Sequence, residues 1–152
     1  MEKVIRTLEE LSLEAEAFVV SLAPQEGGAT LVTLSGELGA GKTAFVKAIA
    51  NALGVKESVT SPTFVLEKIY TLEHPVSKFR RLVHIDAYRL QGPTELAPLG
   101  FDELMKEPGN LILLEWPEKA GLGGASDEPL TKPVARITLA ANTDGTHTIS
   151  YG

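Results

Sequence analysis

The chain contains no cysteine, which excludes disulfides, thiolate metal sites and a cysteine nucleophile. It has one tryptophan, Trp116, a natural fluorescent probe. Positive charge is short as well: 14 Lys and Arg stand against 20 Asp and Glu, a net charge of −6. A nucleic-acid-binding domain usually carries a basic face. Here Lys78-Phe79-Arg80-Arg81 is a small basic cluster, expected at the solvated end of a hairpin. No apolar run is long enough to span a membrane, and the first residues lack the apolar core of a signal peptide. A cytoplasmic protein without membrane contact is therefore expected. With 152 residues, 43% of them hydrophobic, the chain suits a single globular domain, taken as residues 1–152.

What is present centres on Gly36-x-x-x-x-Gly41-Lys42-Thr43, the P-loop pattern. Ala29 to Ser35 is apolar and β-branched, a buried strand by its composition. Thr43 to Leu53 has helical spacing and is followed by Gly54, a helix stop. Strand, glycine loop and helix occur in the order that gives the pattern meaning. Gly36, Gly39 and Gly41 let the backbone curl around phosphates, with Glu37, Leu38 and Ala40 contributing main chain between them. The helix adds its positive N-terminal end. Lys42 can reach the β- and γ-phosphates, and Thr43 can ligate Mg²⁺. The expected cofactors are ATP or ADP and Mg²⁺. A dinucleotide reading of Gly39-Ala-Gly41 is weak, because no acidic residue ends a second apolar strand about twenty residues on.

Around this centre, Glu2 to Leu22 has mostly helical spacing and is expected to cover the sheet. An alternative use is that its start, near Thr7 and Leu8, walls a nucleotide base. Thr60, Ser61 and Thr63 cluster before a strand expected over Phe64–Tyr70. Such hydroxyls either satisfy a turn or face the γ-phosphate, with Thr63 or Thr60 as the candidate. Leu82 to Leu90 alternates: Val83, Ile85 and Ala87 face one way, His84, Asp86 and Tyr88 the other. Asp86 is a candidate for reaching Mg²⁺ through a bound water, or for a water-orienting base. His84 is a weaker candidate, and His74 and His147 are expected at the surface. A helix start is expected at Gly92–Glu95 and a short helix over Phe101–Met105, with Leu96, Leu99, Phe101 and Leu104 as packing residues.

Asn110-Leu-Ile-Leu-Leu114-Glu115 is a fully apolar strand ending in a carboxylate, the Walker B arrangement. Glu115 is a candidate for Mg²⁺ or for the attacking water. Trp116 belongs either to the core or to the site. Lys119 to Lys132 is expected as a mobile loop, and Val134–Ala140 with Thr146–Tyr151 as a closing hairpin. These elements predict an α/β, three-layer P-loop NTPase-like fold with a mostly parallel central sheet and a C-terminal antiparallel hairpin.

Four blocks resemble the small bacterial P-loop ATPases called TsaE or YjeE: Gly36 to Thr43, Ser61-Pro-Thr-Phe64, His84-Ile-Asp-Ala-Tyr-Arg-Leu90 and Glu115-Trp-Pro-Glu118. The first block is common to many P-loop proteins; the other three together are specific. The resemblance implies ATP hydrolysis in the synthesis of N6-threonylcarbamoyladenosine at tRNA position 37. It also implies TsaD and TsaB as partners, with tRNA met only through them. By the same resemblance Lys42 and Thr43 bind phosphate and Mg²⁺, and Thr63 is a switch residue. Asp86 and Glu115 serve the metal and the water, and Trp116 lies near the site. Two features depart from the family: Leu13-Glu14-Ala15 stands where a Thr-x-x-Leu-Gly pattern is common, and the Gly121–Pro129 loop is long. Two other functions fit the same loop. A small-molecule kinase would release product only with an acceptor, and a nucleotide-gated docking module would keep its complex after Glu115→Ala. The scattered arginines form no kinase lid pattern.

Overall fold

The computed structural model describes residues 1–56, 67–73, 78–90, 97–120 and 133–152. Its centre follows from two apolar runs. Strand β2 (Thr30–Ser35) is buried at every position but its last, and β5 (Asn110–Glu115) is buried throughout. A strand without polar alternation must be covered on both faces, which favours parallel pairing with crossover helices. β2 pairs in parallel with β5 on one side and with β6 (Ala135–Ala141) on the other, and β5 pairs in parallel with β4 (Arg81–Asp86). The antiparallel strands lie outside these four: β3 (Glu67–Thr71) on β4, then β7 (His147–Tyr151) on β6 and β1 (Glu2–Ile5) on β7. The seven strands run in the order β1-β7-β6-β2-β5-β4-β3.

The period-two geometry of strands divides the core. Leu111 and Leu113 join Phe18 and Phe45 on one face, beneath α1 (Leu8–Ser21) and α2 (Lys42–Ala52). Ile112 and Leu114 join Val83, Ile85 and Phe101 on the other, beneath α3 (Phe101–Met105). The result is helix, sheet, helix. The alternation expected for β4 holds, because Leu82 packs in the first cluster and Val83, Ile85 and Ala87 in the second. Leu99 and Leu104 pack as expected.

Several expectations need correction. Residues 2–5 are not the start of the first helix but strand β1. The helix begins after Thr7, whose hydroxyl accepts from the Glu10 amide while the Glu10 carboxylate accepts from the Thr7 amide. This reciprocal capping box satisfies two N–H groups that a continuous helix would not have freed. β4 stops at Asp86, where the carboxylate accepts from the Tyr88 amide and turns the chain. Phe79, placed above in a solvated hairpin end, is buried in the first cluster. Helix α2 ends as expected near Gly54: the Gly54 and Val55 amides bond back to Asn51 and Ala50, with Gly54 at φ 87°. The Thr60–Phe64 block, His74, the Gly92–Leu96 segment and the Gly121–Pro129 loop lie outside the described residues. Among the described residues no helix is long and apolar enough to cross a membrane.

Candidate functional site

The loop between β2 and α2 sits at the carboxyl ends of the parallel strands. Gly36 has φ 145°, and a Cβ there would lie 2.4 Å from the Leu139 carbonyl oxygen on β6. The loop thus lies directly on the neighbouring strand, and only glycine fits. Gly41, at φ 101°, precedes α2 in a left-handed conformation that turns the chain into the helix. The first-turn amides of α2 have no intrahelical acceptor, so this end of the helix presents free donors and the positive end of its dipole.

Lys42 is only 5% exposed. Its ammonium donates to the Gly36 and Glu37 carbonyls at 2.5 and 2.8 Å and stands 4.2 Å from the centre of the Trp116 ring. Burial holds it below the ordinary lysine range, opposed by the carboxylates of Glu115, Glu118 and Asp86. Thr43 Oγ1 lies 3.2 and 3.4 Å from the two carboxylate oxygens of Glu115. Glu115, itself 2% exposed, is also bonded to His84 Nε2 at 2.5 Å. Asp86 stands opposite Glu115 in the pairing of β4 with β5.

Trp116 follows Glu115 with φ 60°, the sole non-glycine residue in the left-handed region among the described residues. Such a conformation costs on the order of 1–3 kcal/mol and persists where the surroundings hold it. Here the Trp116 amide bonds to the Leu34 carbonyl, and its ring leans on Tyr88 with centroids 5.0 Å apart. The turn carries the indole off the strand axis and over Lys42.

The donor set fits a hard divalent cation. Thr43 and Glu115 bring a hydroxyl and a carboxylate together at the foot of the loop. Among the described residues no cluster of three or more His, Cys, Asp or Glu side chains forms a metal cage. Mg²⁺ takes one or two protein oxygens and fills its remaining positions with water and phosphate, a demand that one hydroxyl and one carboxylate can meet. On the other side of the loop is a cavity of about 220 Å³, whose lining includes Thr7, Leu8, Leu11, Gly41, Ala44 and His147.

The structure thus brings Gly36–Thr43, Asp86, Glu115 and Trp116 to one end of the sheet. Thr63 lies outside the described residues. Two histidines were underrated. His84 is fully buried and bonded to Glu115. Its place on the same face of β4 as Asp86 was the one signal the sequence offered. His147, expected at the surface, donates from Nδ1 to the Ala40 carbonyl at 3.0 Å. Nothing local in Thr146-His-Thr148 signals that contact, which depends on β7 lying beside β6.

The family model "Threonylcarbamoyl adenosine biosynthesis protein TsaE" matches residues 7–149. The chain belongs to the TsaE family. A TsaE protein of Rickettsia conorii is 38% identical over 134 residues, 88% of this chain and 67% of that protein. One from Streptomyces coelicolor is 44% identical over 72% of this chain and 67% of its own length. One from Treponema pallidum is 35% identical over 87% of both chains. All three are named tRNA threonylcarbamoyladenosine biosynthesis proteins. The crystal structure of Bacillus subtilis YdiB superposes with a TM-score of 0.68 at 25% identity, covering 99% of this chain and 83% of that one. The TsaE match begins at the capping-box residue Thr7 and takes in three of the five residues of β7, so it spans every strand of the sheet but the edge strand β1 and the end of β7.

Proposed function

We propose that this TsaE protein is a Mg²⁺-dependent ATPase acting in threonylcarbamoyladenosine modification of tRNA adenosine 37, on a TsaD–TsaB complex in the cytoplasm. The observation that carries the ATPase reading is the pairing of Thr43 with Glu115 directly beside the buried Lys42. A cation, a hydroxyl and a carboxylate around one helix N-terminus are the parts that phosphoryl transfer to water requires. Magnesium, when bound, would neutralise charge on the phosphate oxygens. The chain's own residues do the rest. The loop amides and Lys42 hold the triphosphate. Thr43 and Glu115 hold the cation, and Asp86, across from Glu115, orients the water that attacks the γ-phosphate. The base fits the cavity at Thr7, Leu8 and Leu11, on the opposite side of the loop.

The acidic balance supports work on protein partners rather than direct grip on tRNA. The test is phosphate release from Mg-ATP by the chain alone and with purified TsaB and TsaD. Strong stimulation by the partners is expected. Slow release that the partners leave unchanged would overturn the partner-dependent reading, and ADP formation that requires an added acceptor and frees no inorganic phosphate would indicate a kinase.

A further inference from the structure

The carboxylate of Glu115 has two protein partners, and they are unequal. Thr43 Oγ1 is nearly equidistant from both oxygens, at 3.2 and 3.4 Å, long for a hydroxyl donating to a carboxylate. The one hydroxyl hydrogen is shared, and it leaves rotation of the carboxylate loosely held. His84 Nε2 approaches a single oxygen, Oε2, at 2.5 Å. A carboxylate only accepts, so Nε2 carries the hydrogen and donates it, a short charge-assisted bond of the stronger class. His84 is fully buried in the middle of β4, between Lys68 of β3 and Leu113 of β5 in the pairing register. The ring cannot follow a moving partner. Its other nitrogen, Nδ1, is buried with no hydrogen-bond partner among the described residues. A histidine kept in an apolar layer with half its polar capacity unused costs stability. Nothing in the packing of β4 requires it there, since Leu82 fills the same face two residues earlier.

We infer that His84 is a positioning residue for the ATPase reaction: by holding Oε2 it locks the orientation of the Glu115 carboxylate, so that Oε1, the oxygen it leaves free, stays aimed at the loop. The inference rests on the ATPase reading above. Its contact is with Glu115, and it acts through that carboxylate. Residues that orient a ligating carboxylate typically matter by 10–100-fold when removed.

Three variants test it. His84→Phe keeps the ring shape without a donor, His84→Gln returns an N–H near the Nε2 position, and Glu115→Gln removes the anionic acceptor. His84→Phe is expected to lower kcat for phosphate release by about 10–100-fold. It should leave the affinity for ADP without Mg²⁺ within about twofold, since the loop and Lys42 are untouched. The gain in ADP affinity on adding Mg²⁺, measured by calorimetry, should shrink in His84→Phe and return in His84→Gln. A purely structural role would instead lower the thermal midpoint and both affinities together. Wild-type kcat and wild-type Mg²⁺ gain in a folded His84→Phe would overturn the inference, as would His84→Gln behaving no better than His84→Phe.

An independent readout separates this from the ATPase reading. In ¹⁵N-labelled protein the His84 Nε2–H proton should be protected from exchange in the wild type and lose that protection in Glu115→Gln. If that proton is absent in the wild type, the positioning inference fails whatever the activity. If it is present but nucleotide binding shows no Mg²⁺ dependence in any form, the ATPase reading fails and His84 merely holds a buried carboxylate.

Discussion

At the scale of single residues, Lys42 is spoken for before any ligand arrives. Its hydrogen bonds to Gly36 and Glu37 and its place over Trp116 must be exchanged when a phosphate is gripped. Two outcomes follow from that exchange. Lys42→Ala is expected to abolish tight Mg-ATP binding in calorimetry, and unchanged affinity would remove the basis of the nucleotide reading. The emission of Trp116 should shift on nucleotide binding, because the ammonium leaves its ring; the same titration in Lys42→Ala should show no such shift. Gly36→Ala pushes a methyl group against the Leu139 carbonyl at 2.4 Å, a backbone atom with no easy escape. It should cost at least about 1–3 kcal/mol of stability in urea unfolding. Asp86→Ala and Glu115→Ala should slow hydrolysis more than they weaken binding, and equal losses of both would make these carboxylates structural.

At the scale of elements, the α1 segment is tied down at its start and at its middle. Its start is the Thr7–Glu10 capping box, and Thr7→Ala should lower stability by about 1 kcal/mol, read from thermal unfolding without nucleotide. Its middle is clipped by Glu14, which accepts from the Tyr151 hydroxyl at 2.6 Å and lies 3.3 Å from Lys3. One carboxylate therefore ties α1 to the two antiparallel strands beyond β6, β7 and β1. Burial, and then Glu14 as hydrogen-bond acceptor and neighbouring charge, push the Tyr151 phenol well above its usual range. The sign follows from linkage. A raised folded pKa means the contribution is complete below the unfolded phenol value near 10 and is lost as pH rises beyond it. The urea midpoint should therefore fall between pH 9 and 11 more steeply in the wild type than in Tyr151→Phe. Parallel slopes would show that the clip does not titrate.

For the whole molecule, the parallel pairing of β2 with β5, and of β5 with β4, is what assembles the site. Thr43 and Glu115 are 72 positions apart in sequence, and the sheet brings their side chains within hydrogen-bond reach. The antiparallel strands on the β6 side do more than close the sheet. β6 supports Gly36 from below, and β7 supplies His147 to the loop. The proposed dependence on TsaD and TsaB also belongs to this scale, and phosphate release measured with and without them decides it.

The sequence by itself determined the elements that chemistry constrains locally. A glycine loop between an apolar strand and a helix, and a carboxylate ending a fully apolar strand, each have one economical physical interpretation, so Gly36–Thr43 and Glu115 were legible without coordinates. The split of β4 into two faces was legible for the same reason, because period two admits no other arrangement. The edges were not. Glu2–Ile5 carries a helix-compatible pattern, and only β7, nearly the whole chain away, makes it a strand. His84 and His147 were underrated for a related reason. The worth of a polar side chain depends on its partner, and their partners Glu115 and Ala40 come from other strands and loops. Tertiary structure decided those contacts because hydrogen bonds between distant residues depend on sheet order and register, which local spacing does not encode.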